Sequence, residues 1–87
     1  MRPREKLIIV TLLKQLKGLK PSGPVHEEVL FNAVGMLVPK LAQNELARAL
    51  EYAADKDNRW IIGVPGKLGG HKWILSDAGE SALIELS

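Results

Sequence analysis

The stretch that decides the fold is Trp60–Leu75, which reads WIIGVPGKLGGHKWIL. Residues 60–64 form a short apolar run of β-prone side chains, and residues 72–75 form a second one. The connection between them, residues 65–71, is rich in proline and glycine and therefore turn-forming. Two short strands joined by such a connection predict a β-hairpin.

A last helix is predicted directly after the hairpin. Ser76 offers a side-chain oxygen for the helix start, and Asp77 behind it suits the first turn. The inner face of this helix is marked by Gly79, Ala82, Leu83 and Leu86.

Two helical segments are predicted at the start of the chain. The first runs from about Arg4 to Lys17 and ends at Gly18. Its apolar face is formed by Ile9, Leu12, Leu16 and Leu19, with Ile8 and Leu13 beside them. The second opens after Gly23-Pro24. Its predicted buried stripe is Val29, Leu30, Ala33 and Leu37. Phe31 lies off this stripe, so it either packs under the preceding loop or stays exposed.

A third helical segment runs from about Ala42 to Lys56. Its inward residues are predicted to be Leu46, Leu50, Ala53 and Ala54, and its outward residues are predicted to be Asn44, Glu45, Arg48, Glu51, Tyr52 and Asp55. The cap position near Ala42 lacks the Ser, Thr, Asp or Asn that usually starts a helix.

Length and composition predict one domain spanning residues 1–87. The chain is 46% hydrophobic and 25% charged, as in ordinary globular proteins, and 87 residues are too few for a second core. It has no cysteine, which excludes disulfides and thiolate metal sites. No apolar run is long enough to span a membrane and no signal cleavage site follows the basic start, so we expect a cytoplasmic protein without membrane contact.

Basic charge is concentrated in two places along the chain. Residues 1–20 have a net charge of +5 and residues 59–75 one of +3, whereas residues 21–58 and 76–87 are each −3. Local basic patches of this kind are what contact with phosphate groups requires.

The order helix, loop, helix, turn, helix, hairpin, helix resembles the winged helix-turn-helix superfamily of small bacterial and phage proteins. The residues that carry the resemblance are Gln43–Leu50, Trp60–Val64 and Lys72–Gly79. The resemblance implies an α+β, mainly α fold, with a three-helix core, a two-stranded hairpin called the wing, and a C-terminal helix. It also implies a DNA-binding transcriptional regulator that acts as a homodimer, which we expect to form through the first and last helices.

In this family the third helix enters the DNA major groove and the wing lies along the backbone or minor groove. Asn44 and Arg48 match outward positions of that third helix, where they would contact bases. Lys67, His71 and Lys72 match the wing, where they would contact phosphates.

A protein-interaction module without DNA binding is the alternative. The third helix carries more acidic than basic residues, and with Tyr52 it could meet a protein, helped by Phe31 and Leu68. A continuous basic face would favour DNA, whereas an acidic third helix isolated from the lysines would favour protein. That basic face would join Arg48 and the wing lysines to Arg2, Arg4 and Lys6.

No motif in the sequence indicates an enzyme, a cofactor or a metal. Residues 66–70 (GKLGG) lack the spacing and the following Ser or Thr of a phosphate-binding loop. His26-Glu27-Glu28 lacks a second histidine four residues on, because that position is Leu30. With two histidines and no cysteine, the chain is not expected to build a zinc site.

Overall fold

The computed structural model describes residues 2–65 and 71–87. It shows an α+β fold that is mainly helical, as predicted. The elements in chain order are α1 (Pro3–Leu19), a 3-10 turn (Lys20–Ser22), β1 (Val25–His26), α2 (Glu27–Gly35), α3 (Gln43–Ala54), β2 (Ile61–Pro65), β3 (His71–Leu75) and α4 (Asp77–Leu86).

The predicted hairpin is present, but it belongs to a three-stranded antiparallel sheet of order β1-β3-β2. The third strand, β1, pairs Val25 with Trp73 and His26 with Lys72. A strand of two residues has no periodicity to read, so the sequence did not reveal it. It takes up the residues after Pro24, and α2 therefore begins at Glu27 and not directly after the proline.

Helix α1 is the centre of the core and contacts α2, α3, α4 and β3. It extends to Leu19, so Gly18 lies inside the helix and does not end it as predicted. Helix α4 contributes Ala82 and Leu83 to the same core cluster. The core is thus built from four helices, not the three that were expected, because α4 closes over a side of α1 that three helices leave uncovered.

Helix α2 buries a different row of residues from the one predicted. Leu30 is buried as expected, but its buried neighbours are Val34 and Val38, whereas Val29 and Leu37 are exposed. Two apolar rows lie side by side on this helix, and periodicity alone does not say which one faces the core. Phe31 is partly buried and packs against the core.

The two tryptophans pack against the core, as predicted, and each is partly buried. Trp60 meets Tyr52 of α3 edge-on, with ring centroids 5.6 Å apart. The Trp73 ring lies over Gly63 of the paired strand, where a Cβ would be 3.1 Å from the ring. The buried indole Nε1 of Trp73 has no hydrogen-bond partner among the described residues.

The junction between the hairpin and α4 is held by Ser76. Its Oγ accepts the Gly79 N–H at 3.0 Å, as the sequence predicted for a cap, and donates toward the carbonyl of Trp60 at 2.9 Å. Helix α4 therefore sits so close to the strand that a Cβ on Gly79 would lie 2.1 Å from the Trp60 carbonyl oxygen. Only glycine leaves room for this approach.

Strand β2 forms one edge of the sheet. The Ser76 N–H donates to the Trp60 carbonyl at 3.0 Å, so the alternation of an antiparallel pair turns the backbone groups of Ile62 and Val64 toward β3. The backbone groups of Ile61, Gly63 and Pro65 then lie on the open edge. Pro65 has no N–H, but at this position an N–H would point away from β3. No hydrogen bond between β2 and β3 is therefore lost.

Candidate nucleic-acid interface

The exposed face of α3 divides into a neutral-to-basic half and an acidic half. Asn44 and Arg48 are both exposed, as predicted, and lie in the N-terminal half of the helix together with Gln43. Glu51 and Asp55 are exposed at its C-terminal end. Because Asn44, Arg48 and Glu51 are spaced by four and three residues, they form one row along the helix.

The start of α3 is fixed by Arg4 of α1. The Arg4 guanidinium binds the Glu45 carboxylate through two hydrogen bonds, of 2.7 Å and 2.9 Å, and also donates to the carbonyls of Pro39 and Lys40. Glu45 in turn accepts the Ala42 N–H at 3.0 Å. This carboxylate supplies the cap that Ala42 cannot. Sequence reasoning missed the pair because its members lie on different helices, 41 residues apart.

The Arg4 contact changes the acidity of Glu45. Its hydrogen bond with Arg4, followed by that with the Ala42 N–H, lowers the pKa of Glu45 from an ordinary 4.5 to about 2. The same hydrogen bond raises the pKa of Arg4. The Glu45 carboxylate therefore remains ionised, and held by Arg4, throughout the neutral and mildly acidic range.

Arg48 forms no ion pair with any described residue. Glu45 and Glu51 each lie three residues from Arg48, but Arg4 occupies the Glu45 carboxylate, and Glu51 forms no ion pair with any described residue. Arg48 lines a groove of about 450 Å³ between α1 and α3, together with Arg2 and Arg4. The apolar part of the lining comes from Ile8, Ile9, Ala49 and Tyr52.

The opposite flank of α3 is acidic. A second groove, of about 440 Å³, separates α2 from α3, and the exposed side chains of Glu27 and Glu28 line it opposite Gln43 and Ala47. On the α1 side the three arginines line the groove together with Glu5 and Glu45, a net charge of +1, whereas the α2 side is acidic. The residues described do not form one uninterrupted basic surface.

The predicted wing residues separate onto the two faces of the sheet. His71 and Lys72 are consecutive in β3, so their side chains point to opposite faces. His71 stacks on Trp73, with ring centroids 5.8 Å apart. Lys72 lies on the other face, beside His26 of β1 and Val64 of β2. Lys67 lies outside the described residues.

Replacing Arg4 with glutamine is expected to raise the pKa of Glu45 toward 4.5, which carboxyl NMR titration measures. A depressed folded-state pKa contributes stability above the unfolded pKa, and this contribution is lost as the pH falls through the folded pKa. In the wild type that loss therefore falls between about pH 4.5 and pH 2. In Arg4→Gln the two pKa values draw together, so this pH-dependent contribution to stability becomes smaller. Arg2→Gln is the control, since Arg2 makes no hydrogen bond to Glu45. A Glu45 pKa unchanged by Arg4→Gln would show that Arg4 does not hold this carboxylate.

In the part of the chain that the structure describes, no helix is long and apolar enough to cross a membrane. No group of three His, Asp or Glu side chains there is arranged to hold a metal ion. Comparison of the chain with protein-family models, curated proteins and solved structures finds no match.

Proposed function

We propose that this chain is a winged helix-turn-helix protein that binds double-stranded DNA through α3 and regulates transcription. The order of its helices and hairpin supports the proposal, since it is the order by which the sequence resembles that superfamily. The hairpin β2–β3 corresponds to the wing.

The observation that carries the proposal is the unpaired Arg48 beside Asn44 on the exposed N-terminal half of α3. Recognition helices contact base edges mainly with the residues of that half. An arginine fork donates two hydrogen bonds to guanine, and an asparagine side chain pairs in the same bidentate way with adenine. By holding Glu45, Arg4 keeps one of the two carboxylates three residues away from competing for Arg48.

The basic residues around α3 would contact the phosphates of the duplex. Arg2 lies on the α1 side of Arg48 and lines the same groove. Lys72 lies on the outer face of the sheet, next to His26, and His26 lines the groove along the other side of α3. Such contacts position a protein on the duplex without reading its sequence.

A protein-interaction module is the second candidate. Glu27 and Glu28 favour it, because they interrupt the continuous basic face that would favour DNA. These exposed carboxylates flank α3 and would repel a phosphate backbone that approached from the α2 side. A partner that carries basic side chains would bind there instead. The experiment below separates the two functions.

The experiment starts with selection of a preferred sequence from a random duplex pool, followed by anisotropy titrations at two salt concentrations. Arg48→Ala is expected to narrow the free-energy gap between selected and random duplexes by ~1–3 kcal/mol, because it removes a base contact. Lys72→Ala is expected to weaken all duplexes equally and to flatten the log-log salt dependence by about one unit.

Lys14→Ala is the matched control. Lys14 is exposed on α1, and its helical position places it away from the side of Ile8 and Ile9 that borders α3. The Lys14→Ala variant loses one positive charge, as Arg48→Ala and Lys72→Ala do. It should bind duplex DNA as tightly as the wild type. No enrichment from the pool, together with no salt-dependent binding at low ionic strength, would rule out the DNA function.

A further inference from the structure

The groove between α1 and α3 has a polar end and an apolar floor. The polar end lies at the first turns of the two helices, where Arg4 binds Glu45. The floor is made of side chains that are almost fully buried, Ile8, Ile9 and Ala49. With a volume of about 450 Å³, the groove lies within the size range of small-molecule sites in proteins.

Arg48 and Tyr52 stand on the α3 wall of this groove. They are four residues apart, so the guanidinium group and the phenol ring lie on the same side of the helix. Tyr52 is 47% exposed, and its ring contacts Trp60 with the centroids 5.6 Å apart. The wall therefore offers a forked cation one helical turn from an aromatic surface.

The charges of the groove favour a ligand with one negative group. Arg4 and Glu45 neutralise each other through their two hydrogen bonds. Arg2, Arg48 and Glu5 then remain, with a net charge of +1, and none of the three forms an ion pair with any described residue. A single carboxylate brings this set to neutrality, whereas a second negative charge would be repelled by Glu5.

We propose that this groove binds a small aromatic monocarboxylate. The carboxylate accepts two parallel hydrogen bonds from the Arg48 fork, whose planar geometry matches it. The ring of the ligand lies along the apolar floor and packs against Tyr52. Both parts of the ligand are needed, because a bare anion buries no apolar surface and a neutral ring leaves the net positive charge unmatched.

Ligand binding at this site regulates DNA binding, and this part of the inference rests on the proposed function. Arg48 cannot hold a carboxylate and a guanine with the same fork, so the ligand and the base contact exclude each other. A saturating ligand is therefore expected to reduce the preference for the selected duplex, as Arg48→Ala does. The weaker binding through phosphate contacts outside the groove should remain.

The first test is equilibrium dialysis of the full chain, without DNA, against benzoate, 2-naphthoate and biphenyl-4-carboxylate. At least one of the three is expected to bind with a dissociation constant below about 1 mM. The amide of that compound keeps the shape but not the charge, and acetate keeps the charge but not the ring. Each is expected to bind at least about tenfold more weakly.

The second test places the ligand in the groove. Arg48→Gln is expected to weaken binding of the carboxylate at least about tenfold and to remove its advantage over the amide. Arg59→Gln is the matched control, since Arg59 is exposed and does not line the groove. Both arginines lie outside the core, so both variants should fold. In NMR titrations the backbone amides of Ala49 and Tyr52 should shift, whereas those along the α2–α3 groove should not.

The proposal is overturned if none of the three carboxylates binds at millimolar concentration, or if the amide binds as tightly as its carboxylate. It is also overturned if Arg59→Gln weakens binding as much as Arg48→Gln. If the groove accepts only the C-terminal carboxylate of a protein, none of the three compounds binds and the proposal fails. The dialysis contains no DNA. A chain that binds the carboxylate but no duplex would keep this site and lose the DNA function, and the reverse result would do the opposite.

Discussion

Replacing Gly79 with alanine is expected to destabilise the protein by about 3 kcal/mol or more. The new Cβ would lie 2.1 Å from the Trp60 carbonyl oxygen and 2.5 Å from a Leu75 methyl group. The carbonyl is not free to retreat, because it accepts the Ser76 N–H at the end of the hairpin. Helix α4 would have to move away from the sheet, and part of the core would move with it.

The sign of this effect distinguishes packing from helix propensity. Within a helix, alanine is intrinsically better than glycine by about 1 kcal/mol, so propensity alone predicts a gain. Gly18→Ala in α1 is the control, since a Cβ there meets no atom within 4 Å and the gain should appear. Urea denaturation of both variants gives the comparison. A Gly79→Ala protein as stable as wild type would show that α4 does not approach the strand this closely.

Replacing Trp73 with alanine is expected to cost ~3–5 kcal/mol, a large part of the stability of a domain of this size. The ring covers Gly63, stacks with His71 and packs against the core, so its loss leaves a cavity between the sheet and the helices. Thermal melting followed by circular dichroism measures the loss. A Trp73→Ala variant with the melting temperature of the wild type would show that Trp73 does not pack against the core.

Trp73→Phe is the informative companion. It keeps an aromatic ring over Gly63 but deletes the indole N–H, which is buried without a hydrogen-bond partner among the described residues. An unsatisfied buried donor costs ~1–3 kcal/mol, so its removal offsets much of the lost contact area. The phenylalanine variant is therefore expected to lose less than half as much stability as the alanine variant.

The parts of this fold that local sequence determines were predictable. The hairpin follows from two β-prone runs around a glycine-rich connection, and the start of α4 follows from Ser76. Three of the four inward residues predicted on α3, Leu46, Leu50 and Ala53, are buried, because polar neighbours mark the opposite side. Ala54 is only half-buried, and Ala49 is buried without having been predicted. In each case a short segment contains all the information needed.

The rest depends on contacts between distant segments. Strand β1 exists because β3 pairs with it, and its two residues carry no signal of their own. On α2 both Val29 and Val34 are apolar, and only the position of α1 decides which is buried. The candidate site shows the same limit. The exposure of Asn44 and Arg48 was predictable, whereas the Arg4–Glu45 pair beside them was not.

Pro65 has a consequence for how the protein behaves in concentrated solution. An open sheet edge invites another chain to add a strand, and repeated addition leads to fibrils. On the edge strand β2, Ile62 and Val64 would make such growth favourable, since both are apolar and exposed. The proline leaves only Ile61 and Gly63 to donate hydrogen bonds along that edge. The opposite edge, β1, ends after two residues by turning into α2. Along the described residues, neither edge of the sheet presents a long row of free N–H donors to which another chain could pair.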